Sequence, residues 1–529
     1  MSNEEKIISS HIFIFPFKWD YINKNNFINE SIDKRIDLDK FKGLLGNNGW
    51  EEDNSNLDDD SGYNQYAYFY ENVRHAIYNK NKDEVKNHNI ICYKYKNINA
   101  VDTYNIKLST GKEYSLRLKD IKLKIYRTGV GSLSYFVENY DYKLEEDILK
   151  INDFGRRIYP QYLPLDKCQN NFLAEELILK FNNAEAIGKK FNDKQRTIQI
   201  AEIVKGVFGK NFVFEKDEIK EKKIYIEPII DDRMFTMCIY RSNKLSDELK
   251  QSPEEYFKSD FWYKYIFVDN NNITCQDEEM TSKLLKESTY TRWRNMGTLY
   301  GISRYSFVML KEESEESDNE DYLLTHFRTM YYEMTLLALT QRASILRFSN
   351  EASQVSGQSD GQALKNIKEL QRHYIQFINK IYFREVTAQE QGIELYNKLL
   401  EMMKIERDVK RLDDEIDEIH KYTSLVSTGF TNNLLRLITY ITASITISNF
   451  VSGLYKISKQ ESLNFIPTYR LAIITIAIVI VIIKIVEQLL KYNKKKLVLF
   501  VVAIGLIISY IIPILMVDNH LWRLVPWLN

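Results

Sequence analysis

Cysteine is scarce. The four in 529 residues, Cys92, Cys168, Cys238 and Cys275, are far apart in sequence. That spacing excludes a C-x-x-C redox motif and a zinc knuckle, and scattered thiols in a long chain point to a reducing compartment. Proline (8) and glycine (19) are also low, which excludes collagen-like and extensively disordered architectures. Neither sign of charge is in excess. Lys and Arg total 72 against 73 Asp and Glu, a formal −1, so the chain is not built to coat nucleic acid. No secretory leader is expected either: Glu4 and Glu5 come early, and the apolar run IFIFPF at 12–17 is short and lacks a cleavage site.

What is present is uneven along the chain. The length allows three or four domains. Mean hydropathy is −0.38, but the last hundred residues depart from it. A hydrocarbon core of about 30 Å takes roughly 20 helical residues to cross. LAIITIAIVIVIIKIVEQLL (471–490) and LVLFVVAIGLIISYIIPILMV (497–517) meet that length, and the more polar 434–455 also reaches it. Lys491, Lys494, Lys495 and Lys496 would hold their loop in the cytosol. The expectation is a multi-pass protein of the cell (inner or plasma) membrane with its large N-terminal part in the cytoplasm. Asn432, Thr439, Thr442, Thr446 and Asn449 recur at steps of seven, three, four and three, one stripe of a helix. Such a stripe lines either a pore in a symmetric oligomer or a polar seam between helices.

Upstream, 322–431 reads as a helical stalk. T-A-Q-E from Thr387 has the form of a capping box with Glu390 at its third position. Leu395, Leu399, Met402, Ile405, Val409, Leu412, Ile416 and Ile419 keep three-four spacing, with one slip between Met402 and Ile405. Segments 323–349 and 362–383 are expected to be further helices. The acidic runs 51–60 and 311–321 read as solvated loops; the first lacks the glycine and terminal glutamate of a calcium loop.

Residues 1–321 mix strand-like runs (11–17, 90–96, 103–109, 114–120, 121–127, 133–140, 224–230, 234–240) with helical stretches near 64–80, 170–182 and 194–205. The expected fold class is an α+β cytosolic head, then the stalk, then an α-helical transmembrane bundle (432–529). TGVGS (128–132) and IGKK (187–190) are too incomplete for phosphate loops. The sequence contains no H-E-x-x-H, and the chain is not expected to be an enzyme. Two short motifs carry chemistry. GRRIYP places Arg156 and Arg157 side by side with apolar flanks, and such guanidinium forks need an anion or a carboxylate. DDRMF places Asp231, Asp232 and Arg233 between two strand-like runs. Either the two motifs pair with each other, or they hold a ligand. A third segment, WRNMGTLYGISRYS (293–306), offers Trp293, Arg294 and Arg304, and a structural turn is the favoured reading there.

NNLLRLITYITASITISNFVSGLY (432–455) resembles the stalk-to-membrane segment of CorA-type magnesium channels, although Lys456-Ile457-Ser458 stands where those carry Gly-Met-Asn. SSHIFIFPFKWD (9–20), YRTGVGSLSYFVENY (126–140), ILKINDFGRRIYPQYLP (148–164), DDRMFTMCIY (231–240) and MYYEMTLLALTQRASILRFS (330–349) resemble the CorA-like membrane effectors of type III CRISPR systems. The resemblance implies antiviral defence by opening or disrupting the membrane. It implies a homo-oligomer, pentameric by analogy, with no tightly bound cofactor and no direct nucleic-acid partner. The activating ligand would be the messenger S-adenosylmethionine–AMP, sensed in the region of Arg156, Arg157, Asp231, Asp232 and Arg233. The alternative is a divalent-cation channel or transporter with an altered filter.

Overall fold

The structure is a computed structural model. It describes residues 6–22, 31–46, 49–53, 60–78, 89–159, 173–190, 200–215, 222–271, 273–313, 318, 321–356, 358 and 360–422, with Ser424, Leu425 and isolated positions as far as Thr442. Two units are present, Met1–His420 and Lys421–Asn529.

The first unit is built on one mixed sheet of fourteen strands. In chain order these are β1 (Ser9–Ile22), β2 (Trp50–Glu52), β3 (Ile90–Tyr95), β4 (Thr103–Lys107), β5 (Glu113–Tyr126), β6 (Val130–Asn139), β7 (Glu176–Lys180) and β8 (Ile187–Lys190). They continue as β9 (Phe212–Val213), β10 (Lys223–Pro228), β11 (Phe235–Arg241), β12 (Thr289–Tyr290), β13 (Leu299–Ile302) and β14 (Ser306–Lys311). The main path runs β12-β13-β14-β11-β1-β6-β5-β4-β7-β8. Neighbours are antiparallel except β11 with β14 and β10 with β9.

β1 is the centre, and its near-continuous apolar run follows from burial on both faces. His11 and Phe13 meet the helix Glu145–Gly155: His11 Nδ1 bonds Asn152 at 2.7 Å, and Gly155 lies against the Phe13 ring. Ser10 faces the other way, towards Arg328. On that side the helix Tyr332–Ser356 covers β6 and β1; Tyr332 donates to Ser134 at 3.1 Å and its ring lies 4.9 Å from that of Phe136. This long helix follows Tyr322–His326 and a π-helical turn, Phe327–Tyr331.

Lys124 and Glu333 carry charge into this packing as a pair. Lys124 Nζ donates to both oxygens of Glu333 at 2.7 Å and to the Ile77 carbonyl at 2.8 Å, with both side chains buried. Burial works against the ammonium, but Glu333 more than offsets it and holds its pKa well above the ordinary value.

Several expectations need correction. The described chain is a mixed α/β fold around a single large sheet, not an α+β head with a separate stalk and membrane bundle. Leu395, Leu399, Ile405, Val409, Leu412 and Ile416 lie in the same core as the sheet. Among the described residues no helix is long and apolar enough to cross a membrane. The reason is visible in the two longest helices. Tyr332–Ser356 carries Glu333, Arg342, Arg347 and Glu351, and Asp360–Lys380 carries Lys365, Lys368, Glu369 and Arg372. A multi-pass placement in the cell membrane, and the transmembrane and ion-channel assignments that go with it, therefore find no support in the described structure. The expected spans 434–455, 471–490 and 497–517 lie outside the described residues, apart from isolated positions in the first.

Locally, the helix Glu390–Met402 starts later than the capping box implied. Gln389 is its cap residue, and the Thr387 hydroxyl accepts from Gln389 N at 3.2 Å while donating to Tyr68 O at 2.6 Å. The slip between Met402 and Ile405 is a helix break, with Lys404 at φ 58°. The stretch 170–182, expected to be helical, contains β7.

Replacing Glu333 by alanine should leave the Lys124 ammonium buried without its partner and cost about 3–5 kcal/mol. Urea denaturation checks this, and a loss below about 1 kcal/mol would show that the pair behaves as a solvated one.

Candidate anion-binding site

β1 changes partner halfway along one side. Ser9–Ile14 pair with β11 and Phe17–Ile22 with β10, while β6 pairs along the other side from Ser9 to Lys18. Phe15 and Pro16 have no ladder partner on the β10/β11 side. A residue without an N–H costs least where a strand has one neighbour only. The chain that joins β10 to β11 is Ile229-Ile230-Asp231-Asp232-Arg233-Met234. It bridges the end of one strand and the start of the other at this gap, so the DDR motif is placed by the split in the sheet.

The second motif reaches the gap from the helix Glu145–Gly155. A Cβ on Gly155 would come within 2.6 Å of the Phe13 ring, and the Gly155 carbonyl accepts from the Tyr104 hydroxyl at 2.8 Å. Glycine thus lets the helix end rest directly on the sheet. Arg156 and Arg157 follow at once. Met234 N donates to Arg156 O at 2.9 Å, and Arg157 and Arg233 form an isolated antiparallel bridge. The two motifs are joined by main chain, and each keeps its side-chain ion pairs to its own neighbourhood.

Asp153 Oδ1 accepts from Arg157 Nε at 2.9 Å and lies 2.8 Å from its Nη2. Arg156 Nη2 sits 3.5 Å from the same oxygen and donates to Val268 O at 2.8 Å. Arg233 Nη2 donates to Asp231 Oδ2 at 2.9 Å, and its guanidinium faces the Tyr305 ring at 5.5 Å. Three buried N–H groups remain without a partner among the described residues: Arg156 Nε, Arg156 Nη1 and Arg157 Nη1. Arg156 is 3 % exposed. Each open buried donor costs about 1–3 kcal/mol, more when charged. A phosphate or carboxylate oxygen is the partner that guanidinium forks fit.

The electrostatics agree. Burial lowers the Arg156 pKa to about 10; Asp153 works against the shift, and Arg233 and Arg157 add to it. Burial pushes Asp232 up to about 6, helped by its hydrogen bond to Asp231 and opposed by Arg233. Burial pushes Asp231 upward as well, but its hydrogen bonds with Asp232 and Arg233 hold it below the ordinary range. One aspartate of the pair is therefore firmly ionised, and the other gains a proton at mildly acid pH.

The structure brings Arg156, Arg157, Asp231, Asp232 and Arg233 together. From the third segment only the neighbourhood of Arg304 reaches them. Trp293 donates to Gln391 at 3.2 Å and Arg294 pairs with Glu254. Sequence reading missed Asp153, Tyr305 and Arg342. Asp153 had a signal, since it precedes the arginines by three and four residues; Tyr305 and Arg342 had none. Of the residues expected along a pore, Asn432, Thr439 and Thr442 are exposed helical positions. Thr439 and Thr442 each return their hydroxyl to the carbonyl four residues earlier, at 2.8 Å. Thr446 and Asn449 lie outside the described residues.

Comparison with family models, with curated proteins and with solved structures finds no match to this chain.

The titration of Asp232 gives a test. A folded-state value raised from 3.8 to about 6 contributes stability that is present below the ordinary value and lost as pH rises through about 6. Asp232→Asn removes this titration. The variant should gain stability over the wild type as pH rises from 4 to 7, and the gain should vanish near pH 4. Melting temperatures across that range read the effect, and a constant difference would place the titration on another group.

Proposed function

We propose that this chain is a receptor for a nucleotide messenger, with Arg156 and Arg157 holding a phosphate. The carrying observation is the set of open buried donors on those two arginines, whose ion-pair partner Asp153 also accepts from Asn270. Asp231 and Asp232 stand beside them and supply what a phosphate site alone does not need. Two carboxylates can accept from ribose hydroxyls or an amino group and can attract a cationic sulfonium. A ligand that presents phosphate, ribose and sulfonium together is S-adenosylmethionine–AMP. The resemblance to CRISPR-associated effectors supplies the same ligand and an antiviral setting, with a homo-oligomer as the working state. The role is binding: the cluster is asked to recognise and hold a ligand, and no bond is broken in it. No membrane step belongs to this reading.

Calorimetry on the full-length protein tests it, with ATP and S-adenosylmethionine as controls. The messenger should bind tightly and selectively and be recovered intact. Arg157→Gln should weaken it at least tenfold, about 1.4 kcal/mol, while leaving a cooperative thermal transition. Unchanged affinity in both Arg157→Gln and Asp232→Asn would place the ligand elsewhere, and loss of intact messenger would make the chain an enzyme.

A further inference from the structure

Arg304 and Arg342 stand next to the cluster and belong to neither of its motifs. Arg342 lies on the helix Tyr332–Ser356, and its Nη1 donates to Arg304 O at 3.4 Å. Arg304 Nε in turn donates to Met402 O at 3.4 Å, on the last residue of the helix Glu390–Met402. The next residue, Tyr305, connects this pair to the cluster. Its ring faces Arg233, and its carbonyl accepts from Thr236 N at 3.0 Å.

Among the described residues neither arginine has an acid of its own. The acids that act on Arg342 are Asp408 and Asp231. Asp408 is occupied by Arg407, whose Nε and Nη2 lie 2.9 and 2.7 Å from its Oδ1. Asp231 is occupied by Arg233. Burial and then the charge of Arg304 lower the Arg342 pKa, so the two cations repel one another. Among the described residues linked by these contacts, six guanidinium groups (Arg156, Arg157, Arg233, Arg304, Arg342, Arg407) stand against four aspartates (Asp153, Asp231, Asp232, Asp408). A folded chain that holds like charges together in this way keeps a positive field for something outside itself.

We infer that Arg304 and Arg342 form a second anion subsite, which takes the amino-acid carboxylate of the messenger while Arg156 and Arg157 take its phosphate. This rests on the messenger reading above. S-adenosylmethionine–AMP carries two anionic groups, the phosphate that joins its nucleosides and the methionyl carboxylate, on either side of its sulfonium. The two arginine pairs share an electrostatic neighbour, Asp231, which acts on Arg156 and on Arg342. Bidentate guanidinium contact suits a planar carboxylate as well as a phosphate. The subsite would select the whole messenger over AMP, which has no carboxylate, while Arg156 and Arg157 select it over S-adenosylmethionine, which has no phosphate.

The test compares the messenger with its analogue in which the methionyl carboxylate is an amide, by calorimetry on the full-length protein. Wild type should bind the amide at least tenfold more weakly. In the double variant Arg304→Gln, Arg342→Gln the acid should fall to the level of the amide, and the amide should be unaffected. Equal affinity of wild type for acid and amide would overturn the subsite and leave the receptor intact. Should the messenger fail to bind wild type, the receptor reading falls, and inorganic pyrophosphate then reads the subsite alone. Two equivalents should bind wild type and one the double variant; two equivalents in both, or one in both, would overturn it.

Discussion

Strand β1 is paired along one side by a single neighbour and along the other by two, and the change of partner at Phe15 and Pro16 decides where this molecule can place charge. A strand buried on both faces normally leaves no room for ionised groups. Here β10 ends and β11 begins within a few residues, and the chain between them has to leave the ladder. Its main-chain groups then need partners outside the sheet. Arg156 O and the Arg157 bridge supply them. The connection between β10 and β11 is thus paired by the end of a helix, and the side chains that come with this pairing are arginines and aspartates. Gly155 is the condition for this arrangement, because any side chain there would meet the Phe13 ring.

The same core shows what a closed ionic network looks like. Arg347, 1 % exposed, donates through Nη1 to Trp19 O at 2.9 Å and Gly129 O at 2.7 Å, and its Nη2 lies 2.7 Å from Asp20 Oδ1. Asp20 and Glu351 are shared with Arg35, at 2.9 and 2.6 Å. Gly129, at φ 79°, lies so close to this guanidinium that a Cβ would come within 2.6 Å of it. Among the described residues only Nε of Arg347 is left open. That network ties β1 to the helix Tyr332–Ser356 and leaves almost nothing for a ligand. Arg156 differs in kind: it has one carbonyl at 2.8 Å, a distant carboxylate oxygen and two open nitrogens.

Much of the sheet was legible because its strands are long and apolar or alternate cleanly. β1, β3, β4, β6, β10 and β11 fall within a few residues of the runs that announced them, and the two runs at 114–127 form one strand, β5. Alternation failed where a strand is short and flanked by polar residues: Glu176–Lys180 presents Leu177 and Leu179 to the core, too few to separate period two from a helical turn. β14 was missed because its pairing with β11 is parallel and spans a long crossover, which no local pattern reveals. The slip between Met402 and Ile405 was visible, but its meaning was not; a left-handed residue at Lys404 breaks the helix there. Hydropathy is the signal read in the tail, whereas the helix Tyr332–Ser356 sets Glu333, Arg347 and Glu351 among apolar positions and pairs them within the fold. In the candidate site, adjacent arginines and adjacent aspartates were readable as chemistry. Their meeting was not, because it depends on a main-chain bridge between residues 157 and 233, far apart in the chain.

The open donors carry an energetic argument that the closed networks sharpen. Three unsatisfied N–H groups at about 1–3 kcal/mol each are a large share of a folding stability of about 5–15 kcal/mol. A fold that satisfies Lys124 three times over and Arg347 nearly so could have met the same demand at Arg156 with one more carboxylate. Asp231 acts on Arg156 but is held by Arg233, and in Asp232 burial and the ionised neighbour Asp231 prevent a full charge until about pH 6. Its free energy is set by repulsion within the acid pair as much as by attraction to the arginines. An incoming phosphate removes the cost of the open donors without adding a buried charge to the empty protein. At a hundred times its dissociation constant such a ligand stabilises the folded state by about 2.7 kcal/mol, the magnitude that one or two closed donors supply. The unsatisfied arginines are thus the part of the core whose stability is conditional on what binds there.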